Sequence, residues 1–368
     1  MSRPLQELLS FADLSREEVV ELISLARRLE VEGDRQALAG KVLGLLFLNP
    51  SLRTLASMQS AMARLGGSSF VISPGSGPGA SSWQLESRMG AIMDGAPAEH
   101  VREAIPVLAG YADALGIRAF ASGSDLAADL ADTAFRTMAA LSPVPVVNLE
   151  SAIDHPCQAL ADWKTIDELA VPRRGKLVLT WANHPRALPL AVPAAVLRMA
   201  AMRGMETVVL RPEAYALPAT LIAQSRALAA LSGGSVHETS APAEALAGAD
   251  IVYAKSWGSP VHYGDAAKET GLRAELGGRG EWCVDESWFE TAPGARFMHC
   301  LPVRRNVVVA DAVLDSPRSV VVRQAHNRLW VQMAVLHRLL AGASTGQRNE
   351  NSMEALTAIR AMSHGGGR

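Results

Sequence analysis

Lys41 to Gln59 reads "KVLGLLFLNPSLRTLASMQ" and joins two different periodicities. The run "VLGLLFL" is continuous in apolar residues, which predicts a strand buried on both faces. Leu55, Met58, Met62 and Leu65 then recur at three- and four-residue spacing until Gly66 and Gly67 stop the pattern, which predicts a helix. The junction carries Ser51, Arg53 and Thr54. A strand running into a helix there offers free backbone N–H groups, hydroxyls and a planar cation to one anion. The plainer alternative leaves Arg53 as a solvated side chain on the first turn. Taken alone, the tetrapeptide leaves both readings open.

The same alternation continues outward. Ser15 with Glu18 three residues later is a capping box, followed by Val19, Leu22, Ile23, Ala26 and Leu29 on one helix face. Short apolar runs, "SSFVIS", "ALGIRAF", "PVPVVNLE", "KLVLTWA", "ETVVLRP", "DIVYAKS", "RFMHCLP" and "SVVVRQ", are separated by helix-length segments. Strands of that kind indicate an α/β chain with mainly parallel sheets flanked by helices. At 368 residues, two domains of ~150 residues each are expected. The helix His155 to Ala170 reads as the bridge between them. A last helix runs to Gly342 with Leu329, Met333, Leu336 and Leu340 on one stripe, and the polar, glycine-ended remainder is expected to be a loosely held tail.

Charge narrows the partners. Thirty-five Lys and Arg against thirty-seven Asp and Glu leave a net −2 with no basic stripe, which argues against nucleic acid and membrane partners. No secretory leader and no apolar window of roughly 18 residues is found, so a cytoplasmic location is expected. Cys157, Cys283 and Cys300 are scattered, so reduced thiols and no metal site are expected. Neither G-x-x-x-x-G-K-[ST] nor G-x-G-x-x-G is found, so no nucleotide or nicotinamide cofactor is indicated.

Ligands of open α/β sheets bind beyond the carboxyl ends of strands. Those ends here carry Ser51, Arg53, Thr54, Arg118, Glu150, His155 with Gln158, "ANHPR", Lys255, and Cys300 with Arg304 and Arg305. Singly, each has an ordinary explanation: Arg118 paired to a carboxylate, His155 a helix-start histidine, Cys300 a small buried hydrophobe. Together they describe a pocket for a phosphorylated substrate bearing a carbonyl. Arg53 and the helix start would hold phosphate, while Thr54, Arg118 and His155 would donate to the oxygen that becomes negative when an amine attacks.

"NPSLRT", "HPCQ" and "HCLP", in this order and spacing, resemble the transcarbamylases, from about Lys41 to Gly342. "MDGAPAEH", "LTWANHPRALPLAVP", "YAKSWG" and "HCLPVRRN" are similar to the N-acylornithine carbamoyltransferases, and the S-M-G loop of ordinary ornithine enzymes is not found. The resemblance implies a carbamoyl-phosphate-binding domain of residues 1–151 with 326–368 and an N-acylornithine-binding domain of residues 152–325. It implies that Ser51, Leu52, Arg53, Thr54, Arg118, His155, Gln158, Cys300, Leu301 and Arg328 contact carbamoyl phosphate, and that Glu150, Lys255 and Arg304 hold the acylated ornithine. It further implies no cofactor, a homotrimer in which Trp83 reaches a neighbouring subunit's site, and a knotted threading around Pro185 to Pro193. In the acetyl enzymes a glutamate precedes the "EH" and a lysine follows "RRN"; here these positions are Ala98 and Val308. That departure implies the succinyl type, whose extra carboxylate would be met by Arg304, His184 and Arg186.

Overall fold

The computed structural model describes residues 5–73 and 84–341 and contains two large parallel sheets, besides a two-stranded pairing of Leu85–Glu86 with Glu99–His100. The first is built from β1 (Val42–Phe47), β2 (Ser68–Ile72), β3 (Ala114–Arg118) and β4 (Val146–Glu150), in the order β2-β1-β3-β4. The second is built from β5 (Lys176–Trp181), β6 (Glu206–Leu210), β7 (Ser235–Thr239), β8 (Ile251–Lys255) and β9 (Arg296–Met298), in the order β9-β8-β5-β6-β7. In each sheet the chain grows one way from its first strand and then returns to that strand's other side. The reversals fall between β1 and β3 and between β5 and β8, where connections diverge and leave a crevice at the carboxyl ends.

Packing explains the sequence of β1. A Cβ on Gly44 would stand 2.7 Å from Leu115 Cδ2 and 2.8 Å from Phe70 Cζ, so the glycine lets side chains of both neighbouring strands close over it. Helix α1 (Arg16–Glu32) starts at the capping box, with Ser15 N donating to Glu18 Oε2 at 2.8 Å and Glu18 N to Ser15 Oγ at 3.2 Å. Helix α2 (Leu52–Arg64) follows β1, and α3 (Pro156–Glu168) begins with proline at its first position, where no N–H is needed. Helix α4 (Ala191–Arg203) follows the proline-rich loop after β5. The final helix α5 (Val321–Leu340) packs on α1, α2 and α3, so the chain returns to the first sheet's side after completing the second.

Two expectations are corrected. "SVVVRQ" is not a strand: only Ser319 bridges to Phe297, and Val321 already belongs to α5. Helical spacing brings Gln324, Asn327, Arg328 and Gln332 to buried positions, and these polar anchors override the β-branched valines. "RFMHCLP" forms a strand only at Arg296–Met298, after which the chain leaves the sheet at His299 and Cys300. The C-terminal tail lies outside the described residues. Among those residues no helix is long and apolar enough to cross a membrane.

Candidate active site

The first turn of α2 carries the Ser51–Thr54 segment. Ser51 caps the helix, its Oγ accepting from Thr54 N at 3.3 Å and donating to Thr54 Oγ1 at 3.0 Å. Arg328 Nη2, from α5, donates to the same Thr54 Oγ1 at 2.7 Å. With two donors already received, Thr54 has its own proton to give to a further acceptor. Thr54 is fully buried, whereas the Leu52 side chain is 80% exposed, so only the backbone of Leu52 can serve the helix start.

Across the sheet reversal, a register shift between Ile117 and Arg118 sets Arg118 opposite Glu150. Such irregularities re-aim a side chain at the end of a ladder. Arg118 Nη1 donates to Glu150 Oε2 at 2.5 Å, and the Phe120 ring lies 4.4 Å from the guanidinium carbon. His155 Nε2 lies 3.6 Å from the same Glu150 oxygen. Glu150 is thus engaged with Arg118, the partner that an arginine at a buried strand end requires.

Charge is concentrated here. Burial lowers the pKa of Arg53, with the Arg118 guanidinium acting in the same direction and Glu150 opposing both. Burial also holds His155 well below the usual imidazole range, reinforced by Arg328, Arg118, Lys255 and Arg53. His155 is therefore a neutral ring that can donate a hydrogen bond without bringing a further charge. These four cations lie within electrostatic reach of one histidine, with Glu150 the carboxylate on Arg118, an arrangement that favours an anionic ligand.

Buried polar atoms are nearly always paired. Among the described residues, Arg53 Nε, Arg118 Nε, His155 Nδ1, Gln158 Oε1 and Arg328 Nε are five of fourteen buried side-chain atoms without a hydrogen-bond partner; Asp162 Oδ2 is another, and the others include atoms elsewhere in the fold such as Thr207 Oγ1 and Arg211 Nε. These five belong to residues singled out from sequence. Gln158 directs its other end inward, Nε2 donating to Asp162 Oδ1 at 2.8 Å.

Cys300 is buried, and burial raises its thiol pKa. Its neighbour His299 accepts from Leu301 N through Nδ1 at 2.9 Å, so that nitrogen is occupied. Lys255 and Arg53 pull the other way, but burial outweighs them, so the sulfur is not activated as a nucleophile. Leu301 takes a left-handed backbone, φ 56°, before a cis peptide to Pro302.

The second sheet contributes another cluster. Arg304 Nε donates to His184 Nε2 at 3.2 Å. His184 Nδ1 lies 3.0 Å from Arg186 O and 3.1 Å from Arg186 N. Arg186 thus meets His184 through its backbone. Burial lowers the His184 pKa, and Arg304 and Lys255 act in the same sense. Arg273 anchors the loop: Nη1 donates to His184 O at 3.1 Å and Nη2 to Trp257 O at 2.6 Å, with Glu269 as its ion-pair partner at 2.6 Å. A cavity of about 370 Å³ lies between Asn49 and Phe120 on one side and Ala187–Pro189 and Gly258 on the other.

Several residues stand differently from expectation. Arg305 is spent on surface pairs with Asp311 and Asp315 at 2.7 Å each. Val308 is 2% exposed and packs in the core of the second domain. Ala98 is exposed, with its N–H on Gln84 O at 3.1 Å beside the short parallel pairing of Leu85–Glu86 with Glu99–His100, and the contacts described above do not reach it. Trp83 lies outside the described residues. Sequence reasoning missed Asp162, Gln324, Tyr253 and Arg273; only the four-residue spacing of Gln158 and Asp162 on one helix could have signalled part of that set.

Residues 6–168 match the carbamoyl-phosphate-binding domain of the aspartate/ornithine carbamoyltransferases, and residues 192–339 match their Asp/Orn-binding domain. The chain is 37% identical to the N-acetylornithine carbamoyltransferase of Xanthomonas axonopodis pv. citri, over 94% of this chain and 99% of that one. It is 36% identical to the N-succinylornithine carbamoyltransferase of Bacteroides thetaiotaomicron, over 87% and 95%. Its fold matches, at TM-score 0.85 and 37% identity, an alanine-for-glutamate variant of N-acetyl-L-ornithine transcarbamylase complexed with carbamyl phosphate and N-succinyl-L-norvaline, covering 91% of this chain and 100% of that one. The chain belongs to the aspartate/ornithine carbamoyltransferase family.

Proposed function

We propose that this carbamoyltransferase transfers the carbamoyl group of carbamoyl phosphate to the δ-amine of N-succinyl-L-ornithine, giving N-succinyl-L-citrulline and phosphate. The observation that carries the donor site is the set of unpartnered buried atoms on Arg53, Arg118, His155, Gln158 and Arg328. Arg53 and the start of α2 take the phosphate, with Ser51 and the backbone of Leu52 forming the turn. Thr54, Arg118 and neutral His155 donate to the carbamoyl oxygen, whose charge grows as the amine adds. Gln158 Oε1 accepts from the carbamoyl NH2 group, with Cys300 and Leu301 closing that side. A free alkyl amine titrates near ~10.4, so the nucleophile must lose a proton on the way to reaction. The departing phosphate is the acceptor that the substrate itself brings.

The succinyl assignment rests on charge. Lys255, Arg304 and neutral His184 gather beside the proline-rich loop, which suits an acceptor carrying an extra carboxylate. Ala98 places only a methyl group where, by the resemblance, the acetyl enzymes carry a glutamate, and an alanine-for-glutamate variant of one such enzyme is among the solved relatives that hold N-succinyl-L-norvaline. N-acetylornithine is the second reading, favoured by acetyl relatives of equal similarity. Ala98→Glu separates them: it should reduce use of succinylornithine far more than use of acetylornithine, because a glutamate carboxylate there would repel the succinyl carboxylate. Equal losses on both acceptors would contradict the role of Ala98.

Two further elements belong to this reading. A homotrimer with Trp83 shared between sites predicts that mixed inactive Trp83→Ala and Arg53→Ala chains regain activity, and a fully active monomer would contradict it. The knotted threading around Pro185 to Pro193 is part of the same reading; near it the backbone is held by Asn183 N to Trp282 O at 2.9 Å and Gly258 N to Leu188 O at 3.0 Å.

A further inference from the structure

The geometry points to Asp162 as a positioning residue that makes the donor site select a carbamoyl group over an acetyl group. The inference rests on the role given above to Gln158. A glutamine amide can present either its oxygen or its NH2 to a ligand, and what stands behind it decides which. Asp162 follows Gln158 by four residues on α3 and is fully buried. Its Oδ1 accepts from Gln158 Nε2 at 2.8 Å and from Gln324 Nε2 at 2.7 Å. An oxygen that already accepts from two N–H groups has no proton to offer Gln158, so it fixes the Gln158 NH2 inward and leaves Oε1 facing away, buried and without a partner among the described residues.

An acceptor held in that way asks the ligand for an N–H. Carbamoyl phosphate supplies one. Acetyl phosphate, with a methyl group in the same place, does not, and a site built to pair a polar group disfavours the analogue that lacks it. The same carboxylate oxygen reaches the other wall of the site: Gln324 Oε1 accepts from His299 N at 3.0 Å, and Gln324 Nε2 also meets the Tyr253 hydroxyl at 3.1 Å. Asp162 therefore ties the amide of Gln158 on α3 to the backbone of the "HCLP" segment through α5.

The test compares carbamoyl phosphate as substrate with acetyl phosphate and inorganic phosphate as competitive inhibitors, in the full-length enzyme. Asp162→Ala should raise KM for carbamoyl phosphate roughly ten-fold, while inhibition by acetyl phosphate and phosphate changes less than about two-fold. Asp162→Asn keeps an acceptor oxygen and should restore most of the preference. Adding Asp162→Ala to Gln158→Ala should cost little more than Gln158→Ala alone, because the two act as one unit. Should the alanine protein not fold, the nearly isosteric Asp162→Leu, which has no acceptor, carries the same expectation. Equal weakening of all three ligands, or an asparagine variant as unselective as alanine, would overturn the inference. Loss of preference in Gln158→Ala but not in folded Asp162→Ala refutes Asp162 alone; retention in Gln158→Ala refutes the role of Gln158 as well.

Discussion

Arg118 Nη1 lies 2.5 Å from Glu150 Oε2, and the same carboxylate oxygen stands 3.6 Å from His155 Nε2. The carboxylate thereby holds the Arg118 cation in place, with the neutral His155 ring beside it but beyond hydrogen-bond distance. Glu150→Gln removes the negative charge and keeps the shape. Phosphate inhibition should strengthen, because the cations lose their counter-charge, while kcat falls as Arg118 loses its fixed position. Unchanged phosphate inhibition with a raised KM only for the acylornithine would instead make Glu150 a direct acceptor contact.

Arg53→Lys tests the junction of β1 and α2. An ammonium cannot reproduce the two parallel bonds of a guanidinium to phosphate, and a hydrogen bond to a charged group contributes about 1.5–3 kcal/mol. The expected loss in kcat/KM for carbamoyl phosphate is therefore roughly 10- to 150-fold, with little change in thermal stability. Near-normal efficiency in a folded protein would return Arg53 to the surface.

Acid stability depends on His155. Burial, reinforced by four cations, holds its folded pKa well below the ordinary value of about 6.5. Below that value the unfolded chain takes a proton that the folded chain refuses, so this contribution is present above pH 6.5 and lost as pH falls. Asp162, pushed up to about 7 by burial, acts in the opposite sense: its contribution is present at low pH and lost as pH rises toward 7. His155→Gln should accordingly lose less stability between pH 7 and 5 than the unmodified protein, measured by denaturant midpoint. Equal losses would mean that His155 titrates normally.

The two domains meet at the cavity rim, where Tyr263 donates to Asp129 Oδ2 at 2.6 Å. Asp129 also accepts from Ser122 N at 2.8 Å and Gly123 N at 3.0 Å, so the bond has a rigid base. Tyr263→Phe should raise KM for the acceptor with little change in the donor constant, at a cost of about 1 kcal/mol in stability. A larger effect on carbamoyl phosphate than on the acceptor would contradict this placement.

Sequence made the central junction legible because each signal there is local. An apolar strand, a cap at Ser51 and a helical period need no distant partner to be recognised, and α1 and α3 begin at or beside their expected caps. The start of α5 was not legible, since Val320–Val322 look like a strand and only tertiary burial of Gln324, Asn327 and Arg328 makes them helical. The supports of the site were hidden for the same reason. Asp162, Tyr253 and Gln324 are far apart in sequence and meet only when α3, β8 and α5 pack. Arg273 likewise became visible only through the loop it holds.

The most direct measurement is product formation from carbamoyl phosphate with N-succinyl-L-ornithine, N-acetyl-L-ornithine, L-ornithine and L-aspartate as separate acceptors. N-succinyl-L-citrulline should be the favoured product, with weaker use of N-acetyl-L-ornithine and negligible use of the two free amino acids. Efficient turnover of N-acetyl-L-ornithine with no turnover of N-succinyl-L-ornithine would contradict the succinyl assignment, and preference for free ornithine or aspartate would contradict the N-acylornithine reading itself.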